Sequence, residues 1–300
     1  MNNNKTKYRS HKRKIIARNT VVYIVLTLIS IIWLIPFIYL IFQSFTSTYS
    51  PSTFIPALPT EENIAAGKAV FTFQNYITLF TDETYHFTTW YKNTLIIAII
   101  ASIIETVLIL GTAYAFSRLR FKARKPIMKL ILILSMFPGF LSMIIIYFIL
   151  KLMGLNGNIY SLILIYIGGS AGQYYIAKGF FDTIPKSLDE AAMIDGANKN
   201  TIFFKIIMPL SKPIVVYTFL ITFVGPWGDF MMASFLAGGN QAQWTVAVGL
   251  RTMITTSQTK QPYFPVFCAA GVVTSIPIVV LFFFLQRYYV EGITGGAVKG

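Results

Sequence analysis

Long, nearly uninterrupted apolar runs constrain the fold of this chain more than any other feature. About 20 apolar residues in a helix are enough to cross the hydrocarbon core of a bilayer. The chain is 55% hydrophobic and only 12% charged, which is too apolar for a soluble globular protein. We therefore predict an all-α membrane protein with a membrane domain over residues 20–286. Its six transmembrane helices are expected at roughly 20–44, 93–116, 127–150, 158–177, 214–236 and 264–286.

Basic residues indicate the side of the membrane that each segment occupies. Of the 25 lysines and arginines, 20 fall in the tail 1–19, the connection after the second window, the loop 178–213 and the tail 287–300. The positive-inside rule places such segments in the cytoplasm, so both termini are expected there. These cations border apolar windows, so the net charge of +14 does not indicate nucleic-acid binding. The first window is too long for a signal peptide and no cleavage site follows it, which predicts an uncleaved anchor.

The sequence offers little for catalysis or metal binding. Cys268 is the single cysteine, and the two histidines, His11 and His86, lie far apart without the spacing of metal ligands. The segment Ala-Ala-Gly-Lys-Ala-Val at 65–70 lacks the first glycine and the hydroxyl of a phosphate-binding loop. We therefore expect no metal site, no cofactor and no ATPase activity in this chain.

The charged segment 190–210, within the cytoplasmic loop, is predicted to form a helical hairpin. Ser187 lies three residues before Glu190, the spacing of a capping box, and starts a helix over 188–195. Gly196 then supplies the left-handed residue that lets the chain reverse. A second helix is expected at roughly 200–207, ending at Met208-Pro209.

So short a first helix is marginal in water by itself. Leu188, Ala191 and Ala192 are predicted to share one slim face. That face is expected to pack on its own bundle or on a partner protein, or else to rest on lipid headgroups. These residues alone leave docking and lipid contact open.

The hairpin resembles the signature loop of permease subunits in ABC importers, with Met208 in place of the usual leucine. The resemblance implies a coupling helix that is seated in a cleft of an ATP-binding subunit. The matching positions are Glu190-Ala191-Ala192, Gly196, Ile206 and Pro209, and Ser187 is added as the expected cap.

Three further segments resemble carbohydrate-type permeases, in particular the smaller permease of maltose and maltodextrin importers. They are Asn93-Thr94-Leu95 with Ala113 to Arg118, Trp244 to Leu250, and the end of the chain from Leu285 to Gly300. The resemblance implies the six-helix type I permease fold in a bacterial inner membrane. It also implies a second, non-identical permease, two ATP-binding subunits, an extracellular sugar-binding protein and an oligosaccharide substrate.

The same resemblance assigns roles to the tail and to one outer loop. The tail residues would reach into the interface of the ATPase dimer; they are Gly295, Gly296, Ala297, Val298, Lys299 and Gly300. The polar, glycine-bearing loop between the last two spans would be mobile and would reach toward the sugar cleft of the binding protein.

Two intramembrane features are candidates for the substrate pathway. Gly225, Trp227 and Asp229 lie in the Gly-Pro-Trp-Gly-Asp segment of the fifth window, where the proline and glycines predict a kink. Trp227 would stack on a sugar and Asp229 would accept hydroxyl hydrogen bonds; alternatively, the segment serves only to shape the helix. Glu105, in the second window, is expected to pack between permease subunits rather than to carry protons.

Two other functions remain open from the sequence. An ABC permease for a non-sugar solute would keep the hairpin but not the sugar-type tail. An ion-coupled secondary transporter would work without an ATPase, and such proteins often contain inverted repeats and several intramembrane charges. No convincing repeat is present here.

Overall fold

The computed structural model describes residues 2–48, 54–137, 139–255 and 260–297. These residues are mainly helical and contain two isolated β-bridges but no strand. The helices are α1 (Asn2–Ser44), α2 (Glu61–Ala65), α3 (Gln74–Thr81), α4 (Phe87–Arg118), α5 (Arg124–Ser135), α6 (Gly139–Leu152), α7 (Ser161–Gly169), α8 (Gln173–Thr183), α9 (Ser187–Ile194), α10 (Lys199–Ile202), α11 (Met208–Leu210), α12 (Lys212–Gly228), α13 (Met231–Ala237), α14 (Val246–Thr255) and α15 (Lys260–Ala297). Short 3₁₀ turns lie at Ser170–Gly172 and Gln241–Gln243, and a π-helical turn at Phe203–Ile207.

Three helices are long and apolar enough to cross a bilayer, within the part of the chain that the structure describes. They are Arg18–Ser44 of α1, Phe87–Arg118 and Tyr263–Tyr288 of α15. These helices contain the first, second and sixth predicted windows. The predicted count of six continuous spans is not confirmed.

The remaining three windows are each divided between two helices. Window 127–150 is divided between α5 and α6, and window 158–177 between α7 and α8 at a 3₁₀ turn. Window 214–236 breaks between α12 and α13, as its Gly-Pro-Trp-Gly-Asp segment predicts, and α12 is itself bent by 83° from the segment before it. The sequence Gly168-Gly169-Ser-Ala-Gly172 explains the second break, because glycine is a poor helix former.

The chain divides into two compact units, the first formed by the described residues within 1–79 and 258–272. In this unit the end of α1 is bonded to α3: Asn75 Nδ2 donates to the carbonyls of Ser44 and Thr46, both at 2.8 Å. Phe45 stacks on Phe71 at 4.8 Å between ring centroids. The proline-bearing segment after α1 therefore contains local order, including α2, although no soluble domain forms among its described residues.

The second unit, within 80–257 and 273–300, is organised around α4. Helices α7, α8, α12 and α14 pack against α4. One apolar cluster joins α4 and α8 to the loop predicted to be cytoplasmic and to the start of α12. Its buried members are Ile109, Leu110, Ala113, Tyr114, Phe116, Tyr174, Ala177, Phe181, Ile184, Ala192, Ile202, Ile207 and Ile214. The hairpin therefore contributes buried side chains to the core of this unit.

Candidate functional site

The chain reversal after α9 forms as predicted. Gly196 has φ +84°, in the left-handed region that favours glycine. Its amide donates to the Met193 carbonyl at 3.1 Å, and the Ala197 amide donates to the Ala192 carbonyl at 2.9 Å. These two bonds are those of a Schellman motif, which satisfies the last carbonyls of a helix. The geometry fixes the direction in which the chain leaves α9.

The predicted capping box at the start of α9 is wrong. Lys186 occupies the cap position in a helical conformation, and no side chain caps the helix. The Glu190 amide donates to the Lys186 carbonyl at 3.1 Å, so it is not free to bond to Ser187. The helix begins one residue earlier than predicted, and this places Ser187 inside the first turn. The side chains of Ser187 and Glu190 are therefore exposed on the surface.

The faces of α9 also differ from the prediction. Ala192 is buried in the core cluster, whereas Leu188 and Ala191 are exposed. Asp189 shares the inward stripe with Ala192, because residues three apart lie on one side of a helix. Glu190 and Ile194, four residues apart, share the outward face, and Ile194 is 87% exposed. Leu188 is exposed at the flank of the helix, beside Ala192. An apolar, glutamate-bearing face is thus presented outward on a helix whose opposite side is anchored.

A buried arginine anchors that opposite side. Arg118, the last residue of α4, donates from Nη2 to the carbonyls of Phe181 at 2.9 Å and Ile184 at 2.8 Å. Its Nε lies 3.4 Å from Asp189 Oδ2, and its side chain is only 3% exposed. We call this group of four residues the Arg118 junction. It ties the end of α4 to the end of α8 and to the first turn of α9.

The sequence analysis missed the roles of Arg118 and Asp189. A cation at the end of an apolar span is usually taken only as an orientation signal. The helical spacing of Asp189 and Ala192 was the available clue, because it places a carboxylate on the same side as a core alanine.

A second polar contact lies beside the Arg118 junction. Ser117 Oγ donates to Asp182 Oδ1 at 2.6 Å, and Lys178 Nζ lies 2.5 Å from Asp182 Oδ2. Partial burial raises the pKa of the Asp182 carboxyl, but the hydrogen bonds from Lys178 and Ser117 favour its charged form and bring the pKa below its usual value. Two successive residues of α4, Ser117 and Arg118, therefore contact the segment from the end of α8 to the start of α9.

The second half of the hairpin is longer than predicted. Asn198 caps α10, accepting from the Thr201 amide at 2.8 Å. The chain then passes through the π-helical turn and continues to Leu210 rather than ending at Pro209. Ile206 is half-buried and Pro209 is exposed. Pro209 lacks an amide proton, and a π turn is a known way to accommodate such a gap in the helical hydrogen bonds.

A cavity of about 570 Å³ opens between α9 and the connection from α4 to α5. It is lined by Ser117, Arg118, Leu119, Arg120, Phe121, Arg124, Lys186, Asp189, Glu190, Met193 and Lys199. We call it the basic cavity, because five of these residues are cationic and two are acidic.

The candidate pathway residues lie near a second cavity, of about 390 Å³. Asp229 lines it, while accepting from the Tyr166 hydroxyl at 2.8 Å and from the Met232 amide at 3.1 Å. Trp227 is 6% exposed and packs edge-on against Tyr91, and its Nε1 has no partner among the described residues. Gly225 is exposed. In this conformation Asp229 holds the start of α13.

The loop between the last two spans was expected to be mobile, but its described first part is firmly held. Asn93 Nδ2 donates to the carbonyls of Ala242 and Trp244, both at 3.0 Å. Thr94 Oγ1 accepts from the Val246 amide at 2.9 Å, and Trp90 Nε1 donates to the Gln241 carbonyl at 3.1 Å. We call these contacts the Asn93 junction. Residues 256–259 lie outside the described residues.

The remaining predictions concern the tail residues 295–300, Glu105 and metal binding. Gly295, Gly296 and Ala297 form the end of α15, whereas Val298, Lys299 and Gly300 lie outside the described residues. Glu105 is 6% exposed within α4. Among the described residues, no group of three or more His, Cys, Asp or Glu side chains could hold a metal ion.

The sequence is similar to a family of transport proteins and to individual sugar permeases. Residues 106–295 match the family model described as "Binding-protein-dependent transport system inner membrane component". The chain is 40% identical over 231 residues to the maltodextrin transport system permease protein MalD of Streptococcus pneumoniae, covering 76% of this chain and 80% of MalD. It is 38% identical over 231 residues to the galactooligosaccharides transport system permease protein GanQ of Bacillus subtilis, covering 76% of this chain and 81% of GanQ.

Solved structures show the same fold. A chain of a bacterial ABC transporter involved in the import of the acidic polysaccharide alginate gives a TM-score of 0.70 at 24% identity, covering 90% of this chain and 96% of that chain. A chain of an alginate ABC transporter in complex with an alginate pentasaccharide-bound periplasmic protein gives a TM-score of 0.64 at 17% identity, covering 91% of this chain and 95% of that chain.

Proposed function

Because the chain belongs to the family of binding-protein-dependent transport system inner membrane components, as a permease of the carbohydrate type, we propose that it forms half of the translocation pathway of an ATP-driven oligosaccharide importer. Maltodextrin or a related oligosaccharide is the proposed cargo. The names of its relatives support this choice, since MalD and GanQ are permeases for maltodextrin and galactooligosaccharides. A non-sugar cargo has no comparable support.

The observation that carries the proposal is the geometry of α9. Its outward face exposes Ile194 beside Glu190, and Leu188 is exposed at its flank, while the Arg118 junction holds its inward side to α4 and α8. Exposed apolar side chains on a two-turn helix indicate a docking surface when the helix is anchored from behind. We propose that this surface is the coupling helix, seated in a cleft of an ATP-binding subunit.

Within this proposal the hairpin residues have distinct tasks. Glu190, Ala191 and the apolar positions contact the ATP-binding subunit, and Ser187 lies at the edge of that contact. Ala192 attaches the helix to the bundle, and Gly196 directs the chain back. Ile206 and Pro209 support the second half of the hairpin.

The proposed complex contains this chain, a second, non-identical permease, two ATP-binding subunits and a sugar-binding protein outside the membrane. The sequence contains no phosphate-binding loop, so ATP hydrolysis is assigned to the partner subunits. The complex would lie in the bacterial inner membrane, in contact with lipid, with both termini of this chain cytoplasmic. The tail residues 295–300 would reach the interface between the two ATPases.

For the pathway, we propose that Asp229 and Gly225 shape its wall at the break between α12 and α13. Asp229 lines a cavity, which supports this assignment, although both of its oxygens already accept hydrogen bonds. Trp227 would reach a sugar only in a conformation that exposes its ring. This role for Trp227 therefore requires a rearrangement of α12.

Reconstitution tests the proposal. Proteoliposomes that contain this chain with its second permease, ATP-binding subunits and binding protein should accumulate labelled maltotriose when ATP is supplied to the ATPase side. The chain reconstituted alone should accumulate nothing. Concentrative uptake by the chain alone would support a solitary carrier and refute the importer, and a panel of labelled sugars with the complete complex identifies the cargo.

A further inference from the structure

The basic cavity is only partly neutralised by the chain itself, because five cationic and two acidic residues line it. Within the described residues, the two salt bridges are Arg118–Asp189 and Lys178–Asp182. No carboxylate among those residues therefore lies within 4.0 Å of the cationic nitrogens of the other four cations that line the cavity. These four are Arg120, Arg124, Lys186 and Lys199. Glu190 lines the cavity too, but its side chain is exposed and not paired with them.

The wall of the cavity also contains an unsatisfied donor. Arg118 Nη1 is buried and has no hydrogen-bond partner among the described residues, although the side chain is only 3% exposed. Its Nη2 donates to two carbonyls, whereas its Nε lies 3.4 Å from Asp189 Oδ2 in an ion pair and likewise makes no hydrogen bond within the described part of the chain. A buried guanidinium donor without an acceptor is costly, and such a group indicates an oxygen acceptor that is missing from the isolated chain.

The position of the cavity identifies the partner that would cover it. Glu190 and Met193 belong both to the exposed side of α9 and to the lining of the cavity. A protein that binds this side of α9 therefore also contacts residues that line the cavity. This step rests on the proposed function, in which the ATP-binding subunit seats on α9.

We propose that the basic cavity is a second docking point for the ATP-binding subunit and that it receives at least one acidic side chain of that subunit. Covering several cations without a counter-charge would cost more than an apolar contact gains. A carboxylate from the partner neutralises the cavity as it closes and gives the buried arginine donor an acceptor. Charge complementarity of this kind sets the specificity and the rate of docking, and salt screens it.

The connection between α4 and α5 offers a matched pair of variants. Arg120, in the connection, and Arg124, at the start of α5, line the cavity. Lys122, in the connection, and Lys125, in the first turn of α5, are exposed and do not line it. The double variants Arg120→Gln/Arg124→Gln and Lys122→Gln/Lys125→Gln remove the same charge from the same segment. None of these four residues belongs to the Arg118 junction.

The experiment measures binding of the purified ATP-binding subunit to nanodiscs that contain the permease pair, at about 50 mM and about 500 mM NaCl. The cavity variant should bind about tenfold more weakly than wild type at low salt, as expected for the loss of two charge pairs, and the difference should largely disappear at high salt. The control variant should bind within about twofold of wild type. Changing an acidic residue near the cleft of the ATP-binding subunit to lysine should weaken binding as much as the cavity variant does. Combining the two changes should weaken binding no further.

Three outcomes overturn the inference. Equal weakening by the cavity and control variants would indicate only a general charge effect. A loss that follows the phosphatidylglycerol content of the nanodisc would identify a lipid phosphate as the occupant. Wild-type affinity of the cavity variant at both salt concentrations would leave the cavity without a role, while the proposed function would stand as long as wild type binds the subunit. Failure of wild type to bind any ATP-binding subunit would instead refute the proposed function.

Discussion

Removal of the Arg118 side chain tests whether α9 is held to the bundle as the structure indicates. Arg118→Ala deletes two charge-assisted hydrogen bonds to the Phe181 and Ile184 carbonyls and leaves Asp189 without its cation. A hydrogen bond to a charged group contributes about 1.5–3 kcal/mol, and breaking a buried ion pair costs about 3–5 kcal/mol. These figures overlap, because both count the same lost arginine. We expect the free energy of unfolding to fall by about 3–5 kcal/mol.

Two companion variants make the expected order specific. Asp189→Asn keeps the two carbonyl bonds and removes only a pair whose atoms lie 3.4 Å apart, so its cost should be about 1–2 kcal/mol. Glu190→Ala changes an exposed side chain, so its effect on stability should stay within about 0.5 kcal/mol. Uptake should nevertheless fall in Glu190→Ala if this residue contacts the ATP-binding subunit.

Thermal unfolding in one detergent, followed by tryptophan fluorescence, gives the ranking of the three variants. The four tryptophans of the chain provide the signal. The expected order of midpoints is wild type and Glu190→Ala highest, then Asp189→Asn, then Arg118→Ala. A midpoint for Arg118→Ala equal to that of wild type would refute the reasoning, because it would show that the junction contributes nothing to stability.

Three further predictions concern other parts of the second unit. Gly196→Asp should abolish uptake while the protein stays in the membrane. Asparagine tolerates a positive φ better than aspartate, so Gly196→Asn should retain uptake only if the backbone conformation at this position is all that uptake requires. Gly249→Ala should lower the unfolding midpoint, because the new Cβ would lie 2.0 Å from a ring carbon of Trp90, a degree of overpacking that costs about 1–3 kcal/mol or more; Gly239→Ala, with no atom within 4 Å, should leave the midpoint unchanged. Asp182→Asn should lower the midpoint at about pH 7, and the difference from wild type should shrink as the pH falls below about 4, because the folded-state pKa of Asp182 lies below its ordinary value and the carboxylate stabilises the fold only while it is charged.

The sequence predicted the class of the fold and the place of the hairpin because both depend on strong, local signals. Long apolar windows specify membrane helices, and three of them are observed as single long helices. Gly196 was predicted correctly, since a left-handed residue between two helical segments leaves few alternatives. The breaks in window 127–150 and window 158–177 were missed because apolar content was counted without weighing glycine and proline inside the window.

The errors at the site arise from contacts between residues far apart in the chain. Ser187 has the spacing of a capping box, yet α9 starts at Ser187 itself, and Asp189 in its first turn pairs with Arg118, which lies 71 positions earlier in the chain. The face of α9 could not be assigned correctly without knowing that Ala192 packs on α4 and α8. The loop between the last two windows was expected to be mobile because of its composition. No local sequence pattern indicates that Asn93, about 150 residues earlier in the chain, donates hydrogen bonds to it.

Both junctions belong to one helix, and this suggests how movement at one end reaches the other. The Asn93 junction lies near the start of α4, and the Arg118 junction is at its last residue. At 1.5 Å per residue, the 32 residues of α4 form a rod of about 48 Å. A helix packed along its length transmits a displacement as a unit because its core contacts resist gradual deformation. A push on α9 would therefore shift α4 and, with it, the loop that Asn93 and Thr94 hold. An importer of the proposed kind needs such a link between its two membrane sides, and a single helix with polar contacts at both ends would provide it.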